Sequence, residues 1–534
     1  MTLTFDYIVV GAGSAGCALA ARLSEDPALT VCLLEAGGSD DSVLIRAPAG
    51  LAVLLPTRLH NWAFETVPQK GLNGRRGYQP RGKTLGGSSS INAMVYVRGH
   101  PADYDHWAAL GNRGWSWSEV LPYFKRAENN TAFGETPHHG AGGPLSVSNL
   151  RSPSSLNRVF LAAAAANGLP NIADCNAGEQ FGSLMHQVTQ ANGERCSAAH
   201  AYLAPIAGRP NLKIITNAHC ARVLFDGRRA VGIEYYAAGE LRDVRARREV
   251  VLAAGAFGSP QLLMLSGIGA PDELARHGVP VVHALPGVGK NLQDHIDYIQ
   301  SYRTRSDTET FGLSIPFAVR LARAVLEWRR RRSGLLTTVY VESGAFLRSA
   351  AEVEVPDLQL LFIIGMADDH NRRLHLGHGY GCHVTVLRPK ARGTVSLADR
   401  DARAPLAIDP RFLEDDEDLQ LLMKGARIQN RILESAPFDP YRGAMLHPVD
   451  MSDDAALERD IRNRADTQYH PVGTCKMGPQ SDAMAVVDAR LRVRGIERLR
   501  VADASIMPTL VGGNTNVPAI MIGEKAADLI RAQP

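Results

Sequence analysis

The sequence has few cysteines, and they follow no regular spacing. Seven cysteines are scattered over 534 residues, and no two of them form a Cys-x-x-Cys pair. Disulfide frameworks and zinc modules use even numbers or closely spaced pairs of cysteines, so this pattern argues against both and favours a reducing compartment. We therefore expect neither disulfide bonds nor a metal site.

Long apolar runs and an excess of one charge are also missing. No run of about 18 uncharged apolar residues occurs, so a membrane-spanning helix is not expected. Residues 1–7 lead directly into an apolar strand, without the pattern of an export signal. The 58 basic and 55 acidic side chains give a formal net charge of +3, which is too small to attract nucleic acid. The sequence predicts a cytoplasmic protein without a nucleic-acid partner.

The composition itself is typical of a globular protein with more than one domain. Hydrophobic residues make up 45% of the chain, and a single core rarely grows beyond about 300 residues. The pattern predicts a strand at residues 7–10, a helix through residue 23 and a strand at 31–34, which together form a βαβ unit. Apolar runs at 212–215 and 230–235 predict strands of a small sheet. This order of elements favours an α/β fold, α+β overall, with a nucleotide-binding domain built from separated segments.

A glycine fingerprint lies inside the first βαβ unit. Gly11, Gly13 and Gly16 allow a tight turn, a close approach of the backbone to a pyrophosphate, and close packing of helix on strand. Glu35 ends the second strand, where a carboxylate accepts hydrogen bonds from ribose hydroxyls and repels a 2′-phosphate. The unit predicts an ADP-containing cofactor other than NADP, and it does not separate FAD from NAD.

Four further segments distinguish FAD from NAD, because they resemble motifs of a known protein family. Residues 82–94 (GKTLGGSSSINAM) and 255–269 (GAFGSPQLLMLSGIG) resemble the two signatures of the glucose–methanol–choline (GMC) flavoprotein oxidoreductases. Residues 470–474 (HPVGT) and 513–516 (GNTN) resemble further motifs of that family, in the same order along the chain. Within the family, the sequence is most similar to bacterial choline dehydrogenases and to relatives that oxidise primary alcohols.

The resemblance implies a two-part architecture. An FAD-binding, Rossmann-like domain is assembled from residues 1–155, 196–305 and 465–534. A substrate-binding domain with an antiparallel sheet and helices is inserted as residues 156–195 and 306–464.

The resemblance also implies one FAD in extended form. Some members attach FAD covalently through a histidine, whereas the matching position here is Ile91, so we expect a noncovalent cofactor. Asp503 matches a family stretch near the flavin, and an N-cap role explains it nearly as well. The expected cofactor-binding residues are Gly11, Gly13, Ser14, Ala15, Gly16, Glu35, Ala36, Trp62, Arg81, Gly82, Leu85, Gly86, Gly87, Ser88, Asn92, Ala93, Met94, Val95, Val223, Ala254, Gly255, Ser259, Asp503, Ala504, Asn514, Thr515 and Asn516.

Two residues match the catalytic positions of the family. Oxidation of an alcohol needs a base for the hydroxyl proton, and histidine suits that role near neutral pH. His470 matches the active-site histidine, and Asn514 occupies the partner position, where an amide binds the substrate oxygen but takes no proton. Glu342 lies where choline-specific members use a glutamate, and an interdomain salt bridge is an equal interpretation of it.

These residues predict an FAD-dependent dehydrogenase that oxidises a primary aliphatic or aryl alcohol to the aldehyde. The base removes the hydroxyl proton, a hydride passes to flavin N5, and a quinone or other non-oxygen acceptor takes the electrons. Choline dehydrogenase and an oxidase that uses oxygen are alternatives for which the sequence offers no discriminating pattern. A non-redox hydroxynitrile lyase on the same fold is the alternative from another class.

A basic segment adds a hypothesis about membranes. In a predicted helix at residues 316–332, Phe317, Leu321, Ala324 and Trp328 share one face, and four arginines, 329–332, follow. This pattern fits a helix lying on an anionic lipid surface, at the inner face of the cytoplasmic membrane. The alternative is an amphipathic helix packed on its own domain.

Overall fold

The computed structural model describes residues 3–305 and 310–532. The predicted domain boundary at residue 306 therefore lies outside the described residues. Within them, two large sheets organise the chain, and each has its own apolar core.

The first sheet contains the predicted βαβ unit. Strand Leu3–Val10 lies between Val31–Leu34 and Glu240–Leu252 and is parallel to both. Four consecutive residues of this strand, Tyr7 to Val10, are buried, which is typical of a parallel strand covered on both faces. The seven strands, in spatial order, are Leu212–Ile215, Val31–Leu34, Leu3–Val10, Glu240–Leu252, Arg229–Ala237 and His219–Asp226, with Leu499–Val501 also paired to Glu240–Leu252.

The structure corrects the prediction of a separate small sheet at 212–215 and 230–235. Strand Leu212–Ile215 pairs residue by residue with Val31–Leu34, and Arg229–Ala237 pairs with Glu240–Leu252. Both runs therefore extend the main sheet, because each pairs with a strand edge that would otherwise be unpaired.

The second sheet has eight strands and is antiparallel throughout. Strand Ile296–Thr304, which the predicted partition assigns to the FAD-binding domain, pairs within this sheet. The partition into domains otherwise stays a prediction. The strands, in spatial order, are Arg442–Met445, Ile296–Thr304, Gly377–Val386, Leu358–Ile363, Val341–Leu347 and Gly182–Met185, with Gly312–Leu313 paired to Gly377–Val386 and Asp466–Thr467 paired to Ile296–Thr304.

Helices pack against both sheets, and several small sheets of two or three strands lie in the connecting segments. The longer helices are Ser14–Leu23, Pro101–Ala109, Trp117–Ala127, Leu156–Ala166, Gly255–Leu265, Ile315–Arg331, Asp416–Leu433, Asp454–Arg464 and Asn516–Arg531. The smaller sheets are Lys290–Leu292 with Gly393–Ser396 and Ala407–Asp409, Phe64–Glu65 with Tyr78–Gln79, Glu128–Asn130 with Leu145–Val147, Gln190–Ala191 with Glu194–Arg195, and Ile268–Gly269 with His283–Ala284. The predicted mixed α/β class is confirmed.

The basic segment forms the helix Ile315–Arg331, and its predicted lipid-facing side is turned inward. Trp328 is buried, and its indole Nε1 donates to Gly193 O at 2.9 Å. Ala324 is also buried, so this face packs on the protein itself. Among residues 3–305 and 310–532, no helix is both long and apolar enough to cross a bilayer.

Candidate active site

A cavity of about 740 Å³ runs from the glycine turn to His470. Its walls come from both sheets: Val10 and Leu34 belong to the first, and Leu361 and Ile363 to the second. The cavity therefore brings the predicted cofactor site and the predicted catalytic pair into one continuous space.

The glycine turn has the geometry that its spacing predicts. Gly11 has a φ of +99°, and a Cβ there would lie 2.6 Å from Ala253 O. A Cβ at Gly16 would lie 1.9 Å from Gly11 O, so only glycine lets the helix Ser14–Leu23 pack on the first strand. Gly13 lines the cavity, and the nearest atom to its added Cβ is 4.0 Å away. This open side is where a pyrophosphate can approach the helix N-terminus.

A second glycine loop lies directly against the turn. Gly87 has a φ of +53°, and a Cβ on it would come within 2.8 Å of Gly13 Cα. Gly86 N donates to Ala12 O at 2.8 Å, and Gly82 N donates to Ser88 Oγ at 3.1 Å. Two segments about 70 residues apart therefore form one backbone cradle, and its shape fits the phosphates of a dinucleotide.

Glu35 closes the adenosine end of this cradle. Its Oε2 accepts from Ala12 N at 2.9 Å and its Oε1 from Gly37 N at 2.8 Å. Burial raises the pKa of this carboxyl to about 7, although the two amide donors oppose the increase. Glu35 lines the cavity, so its carboxyl stands where a ribose is expected.

Most predicted cofactor residues line the cavity, and two of the five exceptions, Ser259 and Gly16, have structural roles. Ser259 Oγ donates to Asp503 Oδ2 at 2.5 Å, and Gly16 packs helix on strand. Asp503 also accepts from Ser505 N, so it caps the short helix Ala504–Ile506 while it lines the cavity. The predicted residues that do not line the cavity are Gly16, Leu85, Gly86, Val223 and Ser259.

The predicted catalytic pair is in hydrogen-bond contact. Asn514 Nδ2 lies 3.2 Å from His470 Nε2, and both residues line the cavity. His470 is 8% exposed. Its backbone N donates to Asp294 Oδ1 at 2.8 Å, so a buried carboxylate fixes the start of the His-Pro-Val-Gly-Thr segment.

A third residue, His295, determines which nitrogen of His470 carries the proton. His295 Nε2 lies 3.0 Å from Leu387 O, and its Nδ1 lies 2.9 Å from His470 Nδ1. A carbonyl oxygen only accepts, so His295 Nε2 carries the hydrogen and its Nδ1 is the acceptor. His470 Nδ1 must then donate, which leaves His470 Nε2 as the acceptor next to Asn514.

Burial keeps both imidazoles neutral. Burial lowers the pKa of His295 to about 3. It also lowers the pKa of His470 well below its usual value, and the nearby positive charge of Arg81 lowers it further. His470 Nε2 is therefore unprotonated at neutral pH, which is the state that a general base requires.

Glu342 does not reach this cavity. Its carboxylate is completely buried and accepts from Ser154 N, Asn157 Nδ2 and Thr338 Oγ1 at 2.6–2.8 Å. No cation pairs with it among the described residues, so the structure supports neither a headgroup contact nor an interdomain salt bridge.

The sequence analysis missed His295, Asp294 and a set of polar groups on the substrate side. Asp297 and Asp466 are paired across two strands, and each carboxylate contacts a histidine, His383 and His370 respectively. All four line the cavity. The polar run Gln293-Asp294-His295 was a detectable signal, but the 175 residues between His295 and His470 concealed the contact.

Comparisons with known proteins agree with this geometry. Residues 5–297 match the N-terminal model and residues 389–523 the C-terminal model of the GMC oxidoreductases. The chain is 45% identical to the alcohol dehydrogenase (acceptor) of Pseudomonas putida, over 98% of this chain and 95% of the relative. It is 43% identical to human mitochondrial choline dehydrogenase, over 99% and 90%.

A solved structure supports the same assignment. Pyridoxine 4-oxidase from Mesorbium loti superposes with a TM-score of 0.90 at 32% identity, covering 99% of this chain and 100% of that one. The fold is thus shared over nearly the whole length of both chains.

Proposed function

Since the chain belongs to the GMC oxidoreductase family, we propose that it oxidises a primary alcohol to the aldehyde with FAD as its cofactor. The observation that carries this proposal is the buried His295–His470–Asn514 chain, which presents an unprotonated Nε2 in the cavity wall. The similarity to an alcohol dehydrogenase supports the same class of substrate.

The residues present fit a noncovalently bound FAD. The cradle of Gly11, Gly13 and Gly87 leaves room for a pyrophosphate, and Glu35 is available to the ribose. Ile91 also lines the cavity and offers only alkyl carbons, so this position has no atom for covalent attachment. When bound, FAD supplies the acceptor for the hydride. In line with the predicted partition, the unit around the first sheet holds FAD and the unit around the second sheet holds the alcohol.

His470 and Asn514 divide the work on the alcohol. Asn514 Nδ2 donates to the substrate oxygen and holds it beside His470. His470 Nε2 takes the hydroxyl proton, which makes loss of hydride from the α-carbon easier. Donation to His295 Nδ1 holds the ring in the required orientation and stabilises the imidazolium that forms.

The wall of the second sheet favours an apolar alcohol. Phe311, Phe317, Val339, Leu361 and Ile363 line this part of the cavity. Burial of an alkyl or aryl group contributes roughly 25 cal/mol per Å² of apolar surface, so longer alcohols gain affinity there. Choline is the second candidate, because the carboxyl groups of Asp297 and Asp466 also line the cavity.

Anaerobic flavin reduction tests the substrate and the reaction together. The purified protein is mixed with ethanol, 1-hexanol, benzyl alcohol or choline, and bleaching of the flavin absorbance is followed. We expect the fastest bleaching with 1-hexanol or benzyl alcohol. Faster bleaching by choline would favour the second candidate, and no bleaching by any of them would refute redox chemistry on alcohols and favour the lyase alternative. Quinone reduction, compared with peroxide release in air, then distinguishes a dehydrogenase from an oxidase.

We also propose a peripheral membrane contact, through a different face of the basic helix from the predicted one. The three most exposed large hydrophobic side chains are Ile315, Leu376 and Leu374, at 84%, 77% and 71%. Leu313 bridges to Leu376, and Leu313 and Leu374 also line the catalytic cavity. This lipid patch (313–315 and 374–376) adjoins the entry of an apolar substrate or a quinone.

Basic side chains accompany the lipid patch along the same helix. Arg329, Arg330 and Arg331 form no ion pair within residues 3–305 and 310–532, whereas Arg332 pairs with Glu194 at 2.6 Å. The three unpaired arginines favour an anionic surface, at roughly 1 kcal/mol for each charge near the lipid.

Cosedimentation with anionic liposomes tests this contact. Wild type is compared with a patch variant, Ile315→Ser with Leu374→Ser and Leu376→Ser. The matched control carries Leu59→Ser, Leu241→Ser and Val281→Ser, at exposed positions elsewhere. We expect wild type and control to pellet at low salt and the patch variant to stay in the supernatant. Equal pelleting of both variants would refute the patch.

A further inference from the structure

Three metal-binding side chains meet at a point that the proposed reaction does not use. His375 Nε2 lies 2.8 Å and His447 Nε2 3.2 Å from the same atom, Asp368 Oδ2. The three ligand atoms all lie within 4.8 Å of one another. The sequence predicted no metal site, because the spacing of Asp368 and His375 matches no known motif and His447 follows only about 70 residues later.

We infer that Asp368, His375 and His447 form a binding site for one zinc-type transition-metal ion. The donor set is two imidazole nitrogens and one carboxylate oxygen, which suits zinc and disfavours magnesium and calcium, since those ions prefer oxygen ligands. Three protein ligands leave a fourth tetrahedral position open for water.

The distances are close to those of a tetrahedral site. With metal–ligand bonds of about 2.0–2.2 Å, tetrahedral ligand atoms are separated by about 3.4 Å. The two Asp368–histidine distances are only slightly shorter than this value. The planes of the two imidazole rings are 82° apart, with centroids at 6.0 Å, so the rings do not block each other.

The ligands are also accessible to an ion, and they lie in two connecting segments of the second sheet. The side chains of Asp368, His375 and His447 are 12%, 23% and 33% exposed. Asp368 and His375 lie in the loop between the adjacent strands Leu358–Ile363 and Gly377–Val386, and His447 follows Arg442–Met445. A bound ion would therefore tie this loop to a third strand of the second sheet. Because Asp368 and His375 line the catalytic cavity, the ion would stand in the cavity wall.

Equilibrium dialysis against Zn²⁺ tests the site without any turnover. The FAD-loaded protein is dialysed against a Zn²⁺ series, and bound metal is measured by atomic emission. Variants Asp368→Asn, His375→Gln and His447→Gln are compared with wild type, and flavin absorbance and circular dichroism confirm that each is folded. His106→Gln, which changes an exposed histidine on the helix Pro101–Ala109, is the matched control.

We expect wild type and the His106→Gln control to bind one Zn²⁺ at this site. Each of the three ligand variants should bind one Zn²⁺ fewer per chain, or bind that ion at least about tenfold more weakly. Amide hydrogen exchange in residues 364–376 should slow when Zn²⁺ is added to wild type and stay unchanged in His447→Gln. Equal zinc binding by wild type and His447→Gln, or no bound zinc in wild type, would overturn the inference. These readouts do not depend on alcohol oxidation, so they remain informative if the proposed function fails.

Discussion

Replacement of His295 tests the hydrogen-bond chain behind His470. In His295→Ala the acceptor for His470 Nδ1–H is lost, and this buried donor has no replacement among the described residues. An unsatisfied buried donor costs about 1–3 kcal/mol. If this cost falls entirely on the orientation of the His470 ring that takes the proton, anaerobic flavin reduction by 1-hexanol slows about 5- to 150-fold.

The same variant should change the pH dependence in a defined direction. Burial lowers the pKa of His470 and remains in the variant. At neutral pH His295 is uncharged and its Nδ1 accepts from His470 Nδ1–H, so it stabilises the protonated form of His470, and the substitution removes this acceptor. The pKa of His470 therefore falls. Because the neutral imidazole is the reactive form, the acid limb of the reduction rate moves to lower pH.

Two control variants separate this positioning role from a general loss of packing. His295→Gln keeps an oxygen that can accept from His470 Nδ1 and should recover most of the rate. His186→Ala removes another buried histidine, outside the cavity lining, and should leave both the rate and the acid limb unchanged. A His295→Ala enzyme with the wild-type rate and the wild-type acid limb would refute the reasoning.

Three further outcomes follow from the site. His470→Ala should lower flavin reduction by at least about 10²-fold with FAD retained, whereas Asn514→Ala should be milder because it removes one hydrogen bond; equal small effects would contradict these roles. Acid precipitation should release all flavin into the supernatant, because Ile91 offers no attachment atom, and flavin in the pellet would require another attachment site. Gly13→Ala should give folded protein without FAD, because its Cβ meets no protein atom closer than 4.0 Å but occupies the side where a pyrophosphate approaches. Gly16→Ala should instead lower the melting temperature, because its Cβ would lie 1.9 Å from Gly11 O. Calorimetry and flavin content distinguish the two variants, and identical behaviour would refute the assignment.

Local patterns in the sequence predicted the parts of the fold that depend on neighbouring residues. The βαβ unit was predictable because buried strands, glycine turn and helix lie within 35 residues. Strand pairing was not predictable in this way: Leu212–Ile215 joins Val31–Leu34 across about 180 residues, and nothing in either run specifies the other.

The candidate site divides along the same line. His470 and Asn514 were found through motifs, and their contact agrees with the predicted pairing. His295 was missed because its role exists only after strand and loop bring two distant imidazoles together. For the basic helix, the sequence periodicity predicted the position of the helix. It could not predict which of its two apolar faces is covered, because that depends on tertiary packing.

The last acceptor in the chain behind the base is a main-chain atom, Leu387 O. Any residue at position 387 supplies that carbonyl, so no side-chain substitution there deletes it. It is placed by the strand Gly377–Val386, whose register is fixed by neighbours on both sides. The protonation state of the base therefore depends on the position of a backbone carbonyl. Substitutions in the substrate wall can change which alcohol enters without removing the proton acceptor.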